Sequence, residues 1–73
     1  MIKRERLYEA VKAYARRHRV KYPDGVKMLA REVGYKGHRN IYGAINGASV
    51  GAAMQHKIAK ALDDTVDYLF GEG

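Results

Sequence analysis

The stretch HRNIYGAIN, residues 38–46, gathers one guanidinium, two carboxamides, an imidazole and a phenol. Groups of these types read hydrogen-bonding edges. The Arg39 guanidinium can grip two acceptors at once, as guanine O6 and N7 present them, and Asn40 or Asn46 matches the donor–acceptor edge of adenine. Tyr42 can touch a thymine methyl or donate to a phosphate. Ile41, Ala44 and Ile45 fall at helical spacing and turn inward, which leaves His38, Arg39, Tyr42, Gly43 and Asn46 outward. Glycine inside a helix costs roughly 1 kcal/mol relative to alanine. Gly43 therefore serves either a close approach to a groove floor or a crowded contact within the protein.

A second set of groups is cationic. The run Arg16-Arg17-His18-Arg19 closes a helical segment, where cations favour the helix dipole by about 0.3–1 kcal/mol. Arg17 and Arg19 can also reach phosphates. Residues 1–40 hold 12 Lys and Arg against 4 Asp and Glu, a balance of +8; residues 41–73 hold 2 against 4, a balance of −2. A one-sided basic surface on a chain of net charge +6 is the electrostatic footprint of a nucleic-acid binder, or simply a solvated basic face.

Five helical segments must position these groups. Leu7, Val11, Tyr14, Ala15 and His18 stripe a first helix over residues 2–18. Residues 20–25 read as a connection, with Pro23 suiting a turn or a helix start and Asp24 placed to cap the second helix. Val26, Leu29, Ala30 and Val33 stripe that second helix over 26–33. Gly34 ends it with a left-handed cap, and Tyr35 folds back onto the core. The third helix covers 38–46. Gly47-Ala48-Ser49 breaks the chain, and Ser49 suits the N-cap of a fourth helix over 50–62. That helix carries Met54, Ile58, Ala61 and Leu62 as its stripe, with Ala52, Ala53 and Ala59 as close-packing positions. Asp64 or Thr65 caps a short fifth helix.

Two short helices joined by a tight glycine turn form a helix-turn-helix, whose second helix lies in the DNA major groove. In VKMLAREVGYKGHRNIYGAIN, residues 26–46, Ala30 sits in the middle of the first helix, Gly34 opens the turn four residues later, and Ile41 anchors the second helix. In KIAKALDDTVDYLFG, residues 57–71, a helix ending Ile-Ala-x-Ala-Leu leads through a polar link to a capped turn with Tyr-Leu. On these two segments the chain resembles the Xre-type family of phage repressors, Cro proteins and their bacterial relatives. The resemblance implies an all-α, compact five-helix, lambda-repressor-like DNA-binding domain spanning residues 1–73. It implies operator DNA as partner and transcriptional control by promoter occlusion. It brings Lys21, Tyr22 and Lys27 near phosphates, with packing against the first helix as the equal alternative for Tyr22, adds Lys36 in the turn, and puts a phosphate on backbone N–H groups around Gly47 and Ser49. Val66, Tyr68 and Phe70 either supply the surface of a homodimer on a two-fold site or close the core, and Leu69 closes the core. The chain departs from the family pattern twice. Ile41 comes seven residues after Gly34 rather than six, so either the turn has an extra residue near Lys36-Gly37 or the third helix starts differently. The family's acidic residue late in that helix is absent, with Ile45 or Asn46 in its place.

Other classes find little support. Seventy-three residues permit one domain with a small core. There is no cysteine, and His18, His38 and His56 lack zinc-type spacing. Ser49 and Thr65 read as caps, Asp63-Asp64 as a helix-end loop, and no Walker or Rossmann glycine motif occurs. The expectation is no catalytic residue, no metal, no cofactor and no small-molecule substrate. No apolar run approaches the roughly 20 residues of a membrane span, and the N-terminus is charged, which points to a cytoplasmic protein with no membrane partner. The GxxG of residues 34–37 is that of a KH-type RNA loop, but no alternating strand pattern accompanies it. Two rivals stand beside the main reading. One is a small helical protein-interaction module, such as an antitoxin or phage assembly factor, whose basic face binds an acidic protein. The other is a non-specific nucleic-acid binder, RNA included.

Overall fold

The computed structural model describes residues 2–71, which form five helices and no strand: α1 (Glu5–Arg17), α2 (Tyr22–Val33), α3 (Arg39–Ile45), α4 (Ala52–Ala61) and α5 (Val66–Phe70). The first four stop by one device. Arg19, Gly34, Gly47 and Asp63 take positive φ values of 58°, 93°, 101° and 57°. The next N–H in each case donates back to the last helical turn: Val20 to Ala15, Tyr35 to Ala30, Ala48 to Gly43 and Asp64 to Ala59, at 2.9–3.0 Å. This double-bonded C-terminal motif satisfies carbonyls that would otherwise be orphaned. It also reverses the chain within two residues, which a domain this small requires. Gly34 thus ends α2 as its residue type dictates, and Tyr35 lies half-buried against the core.

Every helix contributes to one core. Leu7, Val11 and Tyr14 meet Val26, Leu29, Ala30 and Val33, with Ile41, Ala44 and Ile45 from α3, Ile58 and Ala59 from α4, Leu62 just beyond it, and Leu69 from α5. Burying a side chain such as Leu29 stabilises by about 1.5–3 kcal/mol. Polar groups lock the helices at two further points. The Tyr14 hydroxyl donates to Glu32 Oε1 at 2.7 Å, joining α1 to α2. Burial, reinforced by the Glu32 carboxylate, pushes that phenol up to about 12. At the far end, the Thr65 hydroxyl accepts from the Tyr68 N–H at 3.1 Å and caps α5, while Asp64 Oδ1 accepts from the Thr65 N–H.

Several boundaries differ from the sequence-based expectation. α1 starts at Glu5 rather than Ile2, because residues 3 and 4 bond to another helix, and His18 lies exposed beyond its end. The supposed connection 20–25 is largely helix. α2 begins at Tyr22 with Lys21 as its N-cap; Pro23 occupies the first turn, where its missing N–H costs nothing. Asp24 lies inside that turn and is not the cap. The reason is Gly25, which is buried in α2 against α1: a Cβ there would lie 2.4 Å from Ala15 Cβ and 2.9 Å from Ala15 Cα. The glycine permits this crossing. α3 is shorter than expected, with His38 and Asn46 as its caps. α4 starts at Ala52 with Gly51, not Ser49, as N-cap, and Ala52 and Ala53 are exposed rather than packed.

Candidate nucleic-acid interface

The inward residues of α3 set what it displays. Ile41, Ala44 and Ile45 are buried, and this fixes the register of α3: Tyr35 to Gly37 lie between the cap of α2 and that of α3, and Ile41 becomes the third helical residue. At about 100° per residue, Arg39, Gly43 and Asn46 repeat at i, i+4 and i+7 on the side opposite the buried set. Arg39 and Asn46 are exposed, and Asn40 is exposed on one flank of this stripe. Between Arg39 and Asn46 the helix surface is bare backbone at Gly43. A Cβ there would meet only Ala48 Cβ, at an ordinary 3.7 Å. No crowded contact within the protein demands this glycine.

Tyr42 and His38 behave differently. Both are half-buried in a row of edge-to-face rings: Tyr8–Tyr22 at 5.5 Å between centroids, Tyr22–Tyr42 at 6.1 Å, and Tyr42–His38 at 5.8 Å. The row ties α1, the first turn of α2 and α3 together, and such pairs add about 0.5–1.5 kcal/mol beyond their buried area. Burial, with Tyr42 and Tyr8 as neighbours, pushes the Tyr22 phenol up to about 12. Tyr22 and Tyr42 thus sit side by side as a packed pair, and Tyr42 is less outward than helical spacing alone implies.

The cations divide by flank. Lys27 and Arg31, one turn apart on α2, line a groove of about 310 Å³ together with Ala30, Tyr35, Lys36, Gly37 and His38. No carboxylate lines this groove, and none of the three cations pairs with an acid among the described residues, where the one ion pair is Lys12–Glu9 at 3.2 Å. Like charges at i, i+4 destabilise a helix by about 0.2–0.5 kcal/mol, so Lys27 and Arg31 are held together at a cost. Glu32, next in sequence to Arg31, lines a different cleft beside Lys57 and Lys60. Arg17 belongs with Glu32: its guanidinium stacks 5.9 Å from the ring of Tyr14, whose hydroxyl binds Glu32. It does not join the Lys27–Lys36 groove. Arg19 and Lys21 are exposed in the link between α1 and α2. At the other end of α3, Gly47, Ala48 and Ser49 are exposed in the 46–51 loop.

Sequence reasoning misses two residues of this region. Arg31 reads from the sequence only as an outer residue of its helix, although its place four residues after Lys27 is the signal that puts both on one face. Arg4 has no local signal. Its Nη1 donates to Ala44 O at 2.6 Å and to Ala48 O at 2.7 Å, across 40 or more residues of sequence. Of the residues expected at a dimer surface, Tyr68 is exposed with the Arg6 guanidinium stacked 4.8 Å from its ring, whereas Val66 and Phe70 are half-buried. Comparison of the chain with protein-family models, with curated proteins and with solved structures finds no match. No helix among the described residues is long and apolar enough to cross a membrane.

Proposed function

We propose that this chain is a sequence-specific duplex-DNA-binding regulator of the Xre type, with a lambda-repressor-like helix-turn-helix formed by α2 and α3. The observation that carries the reading is one juxtaposition. A stripe of an exposed guanidinium, half-buried bare backbone and an exposed carboxamide (Arg39, Gly43, Asn46) stands beside a carboxylate-free groove of three cations (Lys27, Arg31, Lys36). The first set suits base edges and the second suits the phosphate backbone, which are the two contact classes that specific DNA recognition needs. In this reading α3 enters the major groove and Arg39 grips a guanine, with Asn46 or Asn40 on an adenine. The α2–turn groove seats one strand's phosphates, while the 46–51 loop approaches the other strand. Binding as a homodimer to a two-fold operator would block a promoter, as a phage repressor or Cro-type protein does.

Selection from random duplex DNA tests this directly. The expected result is enrichment of a consensus with two-fold or pseudo-two-fold symmetry. Retention of duplex without any enriched sequence would leave a non-specific binder, and absence of retention would favour a protein partner for the basic face.

A further inference from the structure

The chain before α1 crosses the end of α3. The N–H groups of Lys3 and Arg4 both donate to Ile45 O, at 3.2 and 2.9 Å. The Arg4 guanidinium donates from Nη1 to Ala44 O and Ala48 O, and its Cζ lies 5.3 Å from the ring centroid of Phe70 on α5. The Lys3 side chain lies along Gly47, where a Cβ would come within 3.0 Å of it. The two last carbonyls of α3, and one in the loop beyond it, are therefore held by residues from the opposite end of the chain. α3 has seven residues and no side-chain cap at its N-terminus. Helices this short are marginal without tertiary support. The clasp supplies that support at the end where the 46–51 loop departs.

We propose that Arg4 is a positioning residue for nucleic-acid binding: it holds the C-terminal end of α3 and the 46–51 loop in their binding geometry without touching the nucleic acid. The inference rests on the duplex-DNA reading above. Its physical basis is the commitment of the guanidinium. One nitrogen is spent on two carbonyls and the cation lies near an aromatic ring, so the charge stabilises protein structure. A residue of this kind changes affinity through geometry. A phosphate contact instead changes affinity through counterion release, with a salt slope of about 0.9 per phosphate neutralised.

The test compares Arg4→Gln with the wild-type chain by amide hydrogen exchange of the free protein, and by titration of the selected duplex at several salt concentrations. Exchange at Gly47 and Ala48 is expected to quicken by about tenfold or more, with the α2 amides unchanged. Duplex affinity is expected to fall by about tenfold with no change in salt slope. A slope lowered by about 0.9 would make Arg4 a direct phosphate contact and overturn the proposal. Unchanged exchange at Gly47 and Ala48 would overturn it as well. Should Arg4→Gln fail to fold, Arg4→Met, which removes the charge but keeps a long unbranched side chain against Phe70, goes through the same comparison with the same criteria. Should selection recover no duplex, the DNA reading falls, while the exchange comparison still decides whether Arg4 holds the loop.

Discussion

Replacing Gly43 by alanine separates what α3 needs for stability from what it needs for binding. In the interior of a helix, alanine is favoured over glycine by about 1 kcal/mol. The added methyl would meet Ala48 Cβ at 3.7 Å, an ordinary contact, so packing takes nothing back. The expected gain is about 1 kcal/mol, which in a domain of this size raises the melting temperature by about 4–8 °C. The same methyl would stand midway along the Arg39–Asn46 stripe, which the proposed duplex-DNA reading sets against the floor of the major groove. It would hold the helix off the base edges and lower operator affinity by about tenfold, the equivalent of about 1.4 kcal/mol. The assays are thermal unfolding monitored by circular dichroism, and titration of the selected duplex. A stabilised variant with undiminished affinity would refute the placement of Gly43 against DNA. A destabilised variant would refute the claim that nothing in the protein crowds this position.

The same geometry sets four further outcomes. Gly25→Ala should do the opposite of Gly43→Ala: its Cβ would collide with Ala15 backbone and side chain, and overpacking of about 1–3 kcal/mol outweighs the helix-propensity gain, so the melting temperature falls. Asp63→Gly should stabilise by about 0.5–1 kcal/mol in urea unfolding, because a non-glycine residue at φ 57° is strained and an anion at the end of α4 opposes the helix dipole. Arg39→Ala should relax the consensus at one base pair and cost about 1–3 kcal/mol, whereas Lys27→Gln/Arg31→Gln/Lys36→Gln should weaken all duplexes alike and lower the salt slope by about 2–3; both are read by titration over a panel of duplexes. The fourth concerns alkaline pH. The unfolded phenol of Tyr14 ionises near pH 10, but the folded one holds its proton to about 12, so the unfolded state binds fewer protons between these values. The stability this contributes is full below pH 10 and is lost as pH rises from 10 to 12. Unfolding titrations over that window should show a steeper loss for wild type than for Tyr14→Phe, and equal slopes would refute the assignment.

Much of the fold comes from local chemistry. Helical stripes and caps act over about four residues, and so most apolar positions of α1 to α4, the stop at Gly34 and a cap at Asp64 or Thr65 are legible in the chain itself. So are Arg39, Gly43 and Asn46 as one outward face, once Ile41, Ala44 and Ile45 are turned in. Features that depend on a distant partner are not legible. Pro23 and Gly25 look like a loop in isolation; they belong to α2 because Ala15 of α1 leaves room for nothing larger than a glycine there. Ser49 has the chemistry of a cap, yet Gly51 is the N-cap of α4, since the loop is already fixed at Ala48 by Arg4. Tyr42 is outward by spacing but half-buried because Tyr22 and His38 flank it. The gathering of Lys27, Arg31 and Lys36 into one groove, the separation of Arg17 from it, and the clasp of residues 3 and 4 on α3 arise only when the helices pack. Contacts across 40 residues leave no periodic trace in the sequence, because nothing in the intervening chain has to repeat in order for its two ends to meet.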